Sequence, residues 1–248
     1  MRYQGVAYVT GAAGGIGRAI ALRFSKEGGT VAVVDIDEGG GEQTCTLIEE
    51  AGGKAMFLRT DITIPDSVRE SVRQAHSAFG RIDALVNNAG TNYRGFIEET
   101  SEEDWDRMMN VNARGSFLAS REIVPIMKRQ RSGSIVNISS IAGLVGLKER
   151  VAYTASKGAI LAMTRALAID LALEGIRVNC ICPGSTATAQ AIRVVRNDAD
   201  RVELAQRQAL GRLGEPDEIA SAVVYLCLPE ASFITGAVIP VDGGMTAR

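Results

Sequence analysis

Tyr153 and Lys157 stand four residues apart in VAYTASKGAI, and Ser140 lies thirteen residues before the tyrosine, in IVNISS. A helix beginning near Ala152 stacks positions 153 and 157 on one face. A phenol is a poor base near neutrality, with a reference pKa of about 10, but an adjacent ammonium and the positive end of a helix both favour its phenolate. A serine hydroxyl can donate to, or accept from, a substrate oxygen and hold it in place. Together the three groups suit proton transfer to or from an oxygen of a small molecule, with Ser140 and Tyr153 touching that molecule. The spacing of tyrosine and lysine is a weak signal by itself, because the two fall four apart on many solvated helices.

A second constellation sits near the start, where Thr10-Gly11-Ala12-Ala13-Gly14-Gly15-Ile16-Gly17 follows an apolar run and opens a helical pattern. Gly11, Gly15 and Gly17, with Ile16 between, let backbone amides approach a pyrophosphate that the helix N-terminus attracts. The spacing GxxxGxG departs from the commoner GxGxxG, and a plain tight turn is the bland alternative. Asp35 follows at the end of the second apolar run, where a carboxylate accepts both hydroxyls of an adenosine ribose and repels a 2′-phosphate. Its neighbours Ile36 and Asp37 bring no compensating cation, so the cofactor expected is NAD and not NADP. The competing role for Asp35 is to cap the next helix. Asp61, followed by Ile62, is placed to meet the adenine, and Asn88, Ala89 and Gly90 close a fourth apolar run with small groups that can line a ligand.

The elements that must position these groups follow from the pattern of short Val/Ile-rich runs, each succeeded by a helical period. Strands are expected at 6–10, 30–35, 55–59, 84–87, 134–139, 177–181 and 238–241. Runs such as VAVVD and SIVNI are almost continuously apolar, which requires both faces to be covered and a mostly parallel sheet. No linker or repeat breaks the rhythm, so residues 1–248 read as one domain, and 185–214, after the Pro183-Gly184 break, reads as a lid over the site. The 248 residues are 46% hydrophobic and 23% charged with a net charge of −2, which gives no basic field for nucleic acid. The opening residues lack a secretory pattern and no apolar run reaches membrane-spanning length, so a cytoplasmic setting without a membrane partner is expected. Cys45, Cys180, Cys182 and Cys227 have no metal-type spacing, and His76 has no partner to join them, so no metal is expected. Cys180 and Cys182 share one face of a strand and read as buried filler.

TGxxxGxG, NNAG, a strand-ending serine, YTASK and Pro183-Gly184 occur in one order along the chain, and that order resembles the short-chain dehydrogenase/reductase family over essentially its whole length. The resemblance implies an α/β fold of Rossmann type: a doubly wound, seven-stranded parallel sheet with helices on both faces. It implies NAD-dependent hydride transfer between a secondary alcohol and a ketone, with a tetrad of Asn112, Ser140, Tyr153 and Lys157. Asn112 would hold a water of the proton relay, though a helix-kinking role is its plain alternative. Lys157 would also hold the nicotinamide ribose, and Pro183, Gly184, Thr186 and Thr188 would hold the carboxamide. The family also implies a homotetramer built on the long helices near 102–130 and 152–173.

LKERVAY, VNCICPGS and AQRQALGR are similar to family members acting on 3-hydroxybutyrate and on deoxy-sugar acids such as 2-keto-3-deoxy-L-fuconate. That similarity matches Arg150, Arg193 and Arg207 to substrate-binding arginines, and converging guanidiniums favour a small anionic substrate such as a hydroxy acid or sugar acid. Ordinary solvated arginines are the alternative. Polyol or sugar oxidation, reduction of a 3-oxoacyl carrier protein, and an NAD-sensing regulator without turnover are the competing functions.

Overall fold

The computed structural model describes residues 3–188, 202 and 204–247. Seven strands, β1 Val6–Thr10, β2 Thr30–Asp35, β3 Lys54–Arg59, β4 Ala84–Asn87, β5 Gly133–Ile138, β6 Ile176–Pro183 and β7 Val238–Val241, form one sheet in the order β3-β2-β1-β4-β5-β6-β7. Every neighbouring pair is parallel, as in Val9↔Val33 and Val9↔Val86 on the two sides of β1. The order reverses direction between β1 and β4, and a doubly wound sheet opens its ligand crevice at such a point.

Alternating side chains along each strand feed two cores. Val9, Val31, Val33, Val86, Val136 and Ile181 pack against Ile20 and Phe24 of α1 (Gly15–Lys26), Ile48 of α2 (Glu38–Glu50), and Val223 and Val224 of a late helix, Pro216–Cys227. Tyr8, Val34, Leu85, Ile135 and Val178 face the other way, onto Val72 of α3 (Pro65–Phe79) and Ile123 of a longer helix, Gly115–Gln130. Burial on both sides is why the strand sequences run apolar without alternation. Each wholly buried aliphatic or aromatic side chain contributes about 1.5–3 kcal/mol.

α4 (Glu102–Met108) begins on Ser101, whose hydroxyl accepts from the Asp104 amide at 3.0 Å, and runs through a π-helical turn, Met109–Arg114, into α5 (Gly115–Gln130). Wide turns of this kind are rare inside helices and gather at functional sites. α6 spans Val151–Leu171, and α7 is the late helix Pro216–Cys227. The strands agree with the sequence expectation to within two residues. β6 runs two residues further because Cys182 and Pro183 pair with Pro240 and Val241 of β7.

Both long helices of the second face are fastened to the sheet by buried amides. Asn87 Nδ2 donates to Ser120 Oγ of α5 at 3.0 Å and to Asn137 Oδ1 of β5 at 2.8 Å, and Asn137 Nδ2 donates to Thr164 Oγ1 of α6 at 2.9 Å. Beyond β6, the Gly214 amide donates to the Ser185 carbonyl at 3.0 Å and the Ala187 amide to the Gly214 carbonyl at 2.8 Å, so Thr186 and Gly214 pair as a short parallel bridge. Of the stretch 185–214, residues 189–201 and 203, Arg193 among them, lie outside the described residues. Among the described residues no helix is long and apolar enough to cross a membrane, no group of side chains could hold a metal ion, and the four cysteines are free and buried.

Truncating Asn137 to alanine removes one of the two hydrogen bonds of the buried Asn87 amide, which keeps Ser120, and one of the two of the Thr164 hydroxyl, which keeps the Ile160 carbonyl, at a cost of about 1 kcal/mol or more for each bond lost. The N137A protein is therefore expected to unfold at markedly lower urea than the parent, with an unchanged slope. A coincident transition would show that this network does not fasten the helices.

Candidate active site

A cleft of about 1620 Å³ opens along the carboxyl ends of the strands, and most of the residues singled out from the sequence line it. Its glycine turn admits no side chains. Gly11 has φ +68°, and a Cβ there would fall 2.7 Å from Ala89 Cα; a Cβ on Gly17 would fall 2.0 Å from the Gly11 carbonyl oxygen. Asn88 fastens the turn by donating from Nδ2 to the Thr10 and Gly11 carbonyls, each at 3.0 Å, while the Thr10 hydroxyl receives the Asn88 and Ala89 amides. A backbone cradle stripped of Cβ atoms at the N-terminus of α1 fits a bound pyrophosphate. Gly15 and Ile16 lie on the same wall, with Thr188 against Gly15.

Asp35 ends β2 beside this cradle, its Oδ2 accepting from the Ala13 amide at 2.9 Å and its Oδ1 from the Asp37 amide at 3.0 Å. The cap of α2 is Asp37, which accepts from the Gly40 amide, so the capping role weighed for Asp35 belongs to its neighbour. The nearby Arg18 guanidinium is committed to the Ala13 and Gly40 carbonyls and to the Thr44 hydroxyl. Asp61 Oδ1 accepts from both the amide and the hydroxyl of Thr63, and Ile62 lines the cleft next to it.

At the other end stand Ser140, Tyr153 and Lys157. The Ser140 hydroxyl accepts from the Ala142 amide at 3.1 Å and lines the cleft with the Tyr153 phenol. Lys157 is only 4% exposed; its Nζ donates to the Ile138 carbonyl at 3.0 Å and sits 5.8 Å from the centre of the Tyr153 ring. Burial raises the Tyr153 pKa, and the Ser140 hydrogen bond and the positive charge of Arg150 oppose it. Lys157, expected from the sequence to stand beside the phenol, has its own pKa lowered to about 8 by burial. Gly90 lies against both Lys157 and Asn112, since a Cβ there would fall 3.4 Å from the lysine nitrogen and 3.1 Å from Asn112 Oδ1.

Asn112 is buried in the π-turn. Its Oδ1 accepts from the Thr91 amide at 2.7 Å, and its Nδ2 donates to the Thr91 carbonyl at 3.0 Å and to Ser156 Oγ at 2.9 Å. The side chain thus braces the loop after β4 against α6, and the amide has no donor to spare. Pro183 ends β6, the Gly184 amide donates to Val241, and the Thr186 hydroxyl donates to the Gly184 carbonyl at 3.1 Å; these residues and Thr188 line the cleft. Cys180 and Cys182 pack beneath α6 with Ile160 and Leu161.

The rim is cationic. Arg150 and Arg207 line it and are close enough to repel one another, and Arg94 adds a third guanidinium acting on Arg150. Arg94 escaped the sequence reading, as did Asn92, Tyr93, Leu147, Lys148 and Met245, all in the cleft wall. Position was the available signal for Asn92, Tyr93 and Arg94: they directly follow NNAG, on a loop leaving the carboxyl end of a strand. Met245, beyond the last strand, carried none.

Folded Lys157 gives up its proton near pH 8 and the unfolded residue near 10.5, so the folded protein gains stability as pH rises through that window and bears the full burial cost below it. A Lys157→Met protein, with a similar apolar stem, is expected to unfold at higher urea than the parent at pH 7, by roughly 1–3 kcal/mol, with the advantage shrinking by pH 10. An equal or lower midpoint at pH 7 would refute the burial cost.

The family model described as enoyl-(acyl carrier protein) reductase matches residues 11–246. An uncharacterized oxidoreductase of Thermotoga maritima is 44% identical with all of both chains covered. A 3-oxoacyl-acyl-carrier-protein reductase of the same organism is 40% identical, with 99% of each chain covered. Among solved structures, levodione reductase superposes with a TM-score of 0.94 at 29% identity, covering 99% of this chain and 98% of its own. Fold, cradle and matched length agree: the chain belongs to the short-chain dehydrogenase/reductase family, whose members use nicotinamide cofactors, and it is an oxidoreductase acting on CH–OH groups.

Proposed function

We propose that the protein interconverts a small anionic secondary alcohol, a hydroxy acid or sugar acid, with its ketone, using NAD and carrying the proton on Tyr153. The observation behind this reading is that Ser140, Tyr153 and Lys157, its Nζ 5.8 Å from the tyrosine ring centre, line the same cleft as the glycine cradle and Asp35. The nicotinamide, when bound, accepts or supplies the hydride. Ser140 orients the substrate oxygen, and Tyr153 takes its proton during oxidation or returns it during reduction. Lys157 holds the nicotinamide ribose, and Asn112 acts by bracing the loop that carries Gly90 and Thr91. Gly11, Gly15, Ile16 and Gly17 hold the pyrophosphate, Asp35 the adenosine ribose, Asp61 and Ile62 the adenine. Asn88, Ala89, Gly90, Pro183, Gly184, Thr186 and Thr188 enclose the nicotinamide half.

NAD over NADP is supported by Asp35 and Asp37 standing together in the cleft wall while Arg18 is already committed elsewhere. A 2′-phosphate there meets two carboxylates. An anionic substrate is supported by Arg94, Lys148, Arg150 and Arg207 along the rim. Charge-assisted hydrogen bonds from such groups are about twice as strong as neutral ones. Reduction of a 3-oxoacyl thioester is the second reading, favoured by the likeness to the Thermotoga carrier-protein reductase.

Absorbance of the reduced nicotinamide checks these assignments in one assay. NAD is expected to outperform NADP, hydroxy acids and sugar acids to outperform uncharged alcohols and 3-oxoacyl thioesters, and Tyr153→Phe to lose about 100- to 10,000-fold in kcat. A faster reaction with NADP would overturn the role of Asp35, and full turnover in Y153F the role of the phenol. A homotetramer in a cytoplasmic setting completes the proposal, supported by the apolar side chains left open on the helices, such as Phe117 of α5 and Ile169 of α6, the latter 80% exposed. Light scattering is expected to return four times the 26.3 kDa chain mass, and a monomer would defeat it.

A further inference from the structure

Arg18 sits in the first turn of α1, directly after the glycine turn. Its Nη2 donates to the Ala13 carbonyl and, at 3.1 Å, to the Gly40 carbonyl in the first turn of α2, while its Nε donates to the Thr44 hydroxyl at 3.0 Å. That hydroxyl lies within donating reach of the Ala12 carbonyl at 2.9 Å and the Gly40 carbonyl at 3.0 Å, and Thr44 is wholly buried. One arginine and one threonine therefore clamp the start of α2 to Ala12 and Ala13 of the turn. A planar guanidinium suits such a clamp, because its donors stand in a fixed fork and meet several acceptors with little further loss of freedom.

The start of α2 is shaped by the same contact. It reads Glu38-Gly39-Gly40-Gly41, although glycine is among the poorest helix formers. A Cβ on Gly40 would fall 2.9 Å from both the Cβ and the carbonyl oxygen of Ala13, whereas one on Gly39 would meet nothing nearer than Asp37 Oδ1 at 3.9 Å. Position 40 is glycine because α2 touches the turn there. Ala13 is then held at both ends, its amide by Asp35 Oδ2 at 2.9 Å and its carbonyl by Arg18. A trans peptide points its N–H opposite its carbonyl, so a carbonyl held toward α2 turns the Gly14 amide away from α2, and Gly14 lines the cleft.

We propose that Arg18 is a positioning residue for the cofactor: it locks the Ala13–Gly14 peptide against the first turn of α2, in the orientation that receives the pyrophosphate. The role rests on the glycine turn as the pyrophosphate cradle but not on the choice between NAD and NADP, since both carry that group. The guanidinium is spent on two protein carbonyls and a hydroxyl, so what Arg18 lends the cofactor is geometry and not a field.

The test is a fluorescence titration with NADH and, separately, with NADPH, on the full chain and on R18M, G40A, G39A and R23M, at low and at high salt. R18M and G40A are each expected to bind NADH about tenfold more weakly than the parent, and NADPH more weakly by the same factor. G39A makes the same change one residue earlier, where a methyl has room, and R23M removes an α1 arginine bonded to Glu27 and Ser221; both are expected to bind as the parent does. Salt screens a field but does not restore a misplaced peptide, so the loss in R18M is expected to persist at high salt. With the secondary alcohol that the parent oxidises fastest, the R18M defect is expected in the KM for NAD and not in kcat. Parent-like binding by R18M or by G40A would overturn the proposal, as would a loss that vanishes at high salt or falls on NADPH alone, which would assign Arg18 the role of a charge. Should R18M fail to fold by circular dichroism, G40A against G39A carries the test. A parent that binds neither dinucleotide would overturn the cradle itself, whereas equal titrations of parent and variants would overturn the role of Arg18 alone.

Discussion

Parallel pairing delivers the carboxyl end of every strand to one edge of the sheet, and the chemistry gathers there because it has to. Thr10 and the glycine turn follow β1, Asp35 ends β2, Asp61 follows β3, Asn88 to Arg94 follow β4, Ser140 follows β5 and Pro183 to Thr188 close β6. Antiparallel strands would scatter these groups over both edges. Parallel strands also need helical crossovers, and those crossovers put α6, with Tyr153 and Lys157, against the strand ends they serve. The buried Asn87–Asn137–Thr164 chain then ties the height of α6 to the sheet by hydrogen bonds that tolerate little slippage.

Along the cleft, charge is unevenly spread. Asp35, Asp37 and Asp61 stand at the ends of β2 and β3, where Arg114 donates to the Thr63 carbonyl, while Arg94, Lys148, Arg150 and Arg207 line the wall elsewhere. The chain as a whole is nearly neutral, with a net charge of −2, so this unevenness is local and owes nothing to composition. Lys157 is a third kind of charge, withdrawn from water and turned to a carbonyl of β5. Its burial cost is one the fold bears for the site, in the way that functional positions commonly trade stability for chemistry.

Much of this arrangement was legible in the chain because it depends on spacing. Continuous apolar runs located the seven strands, and the glycines, Asp35, Ser140, Tyr153 and Lys157 sit at fixed distances from those runs. What escaped depends on three-dimensional partners. Nothing in the order of residues says that Asn112 falls in a π-turn with its amide fully used, or that Asp37 and not Asp35 caps α2. The direction of the Lys157 ammonium depends on a carbonyl nineteen residues away, and the partners of Arg150 lie 57 and 58 residues away. Pattern reading reaches along a helix or strand; it does not reach across a junction between loops.

The bridge between Thr186 and Gly214 has a consequence for how such a protein diversifies. Two hydrogen bonds join the chain where it leaves β6 to the chain where it returns toward α7, so the ends of the intervening stretch are already closed. Lengthening or exchanging what lies between adds loop entropy that grows slowly, by about 0.6 kcal/mol for each doubling of length. The pairing of β6 with β7 continues on the near side of that closure, while the returning segment is tied to the chain after β7 where the Leu210 amide donates to the Gly243 carbonyl at 3.0 Å. On the proposed reading, substrate preference is an exchangeable cassette and the Tyr153 site the chassis that accepts it.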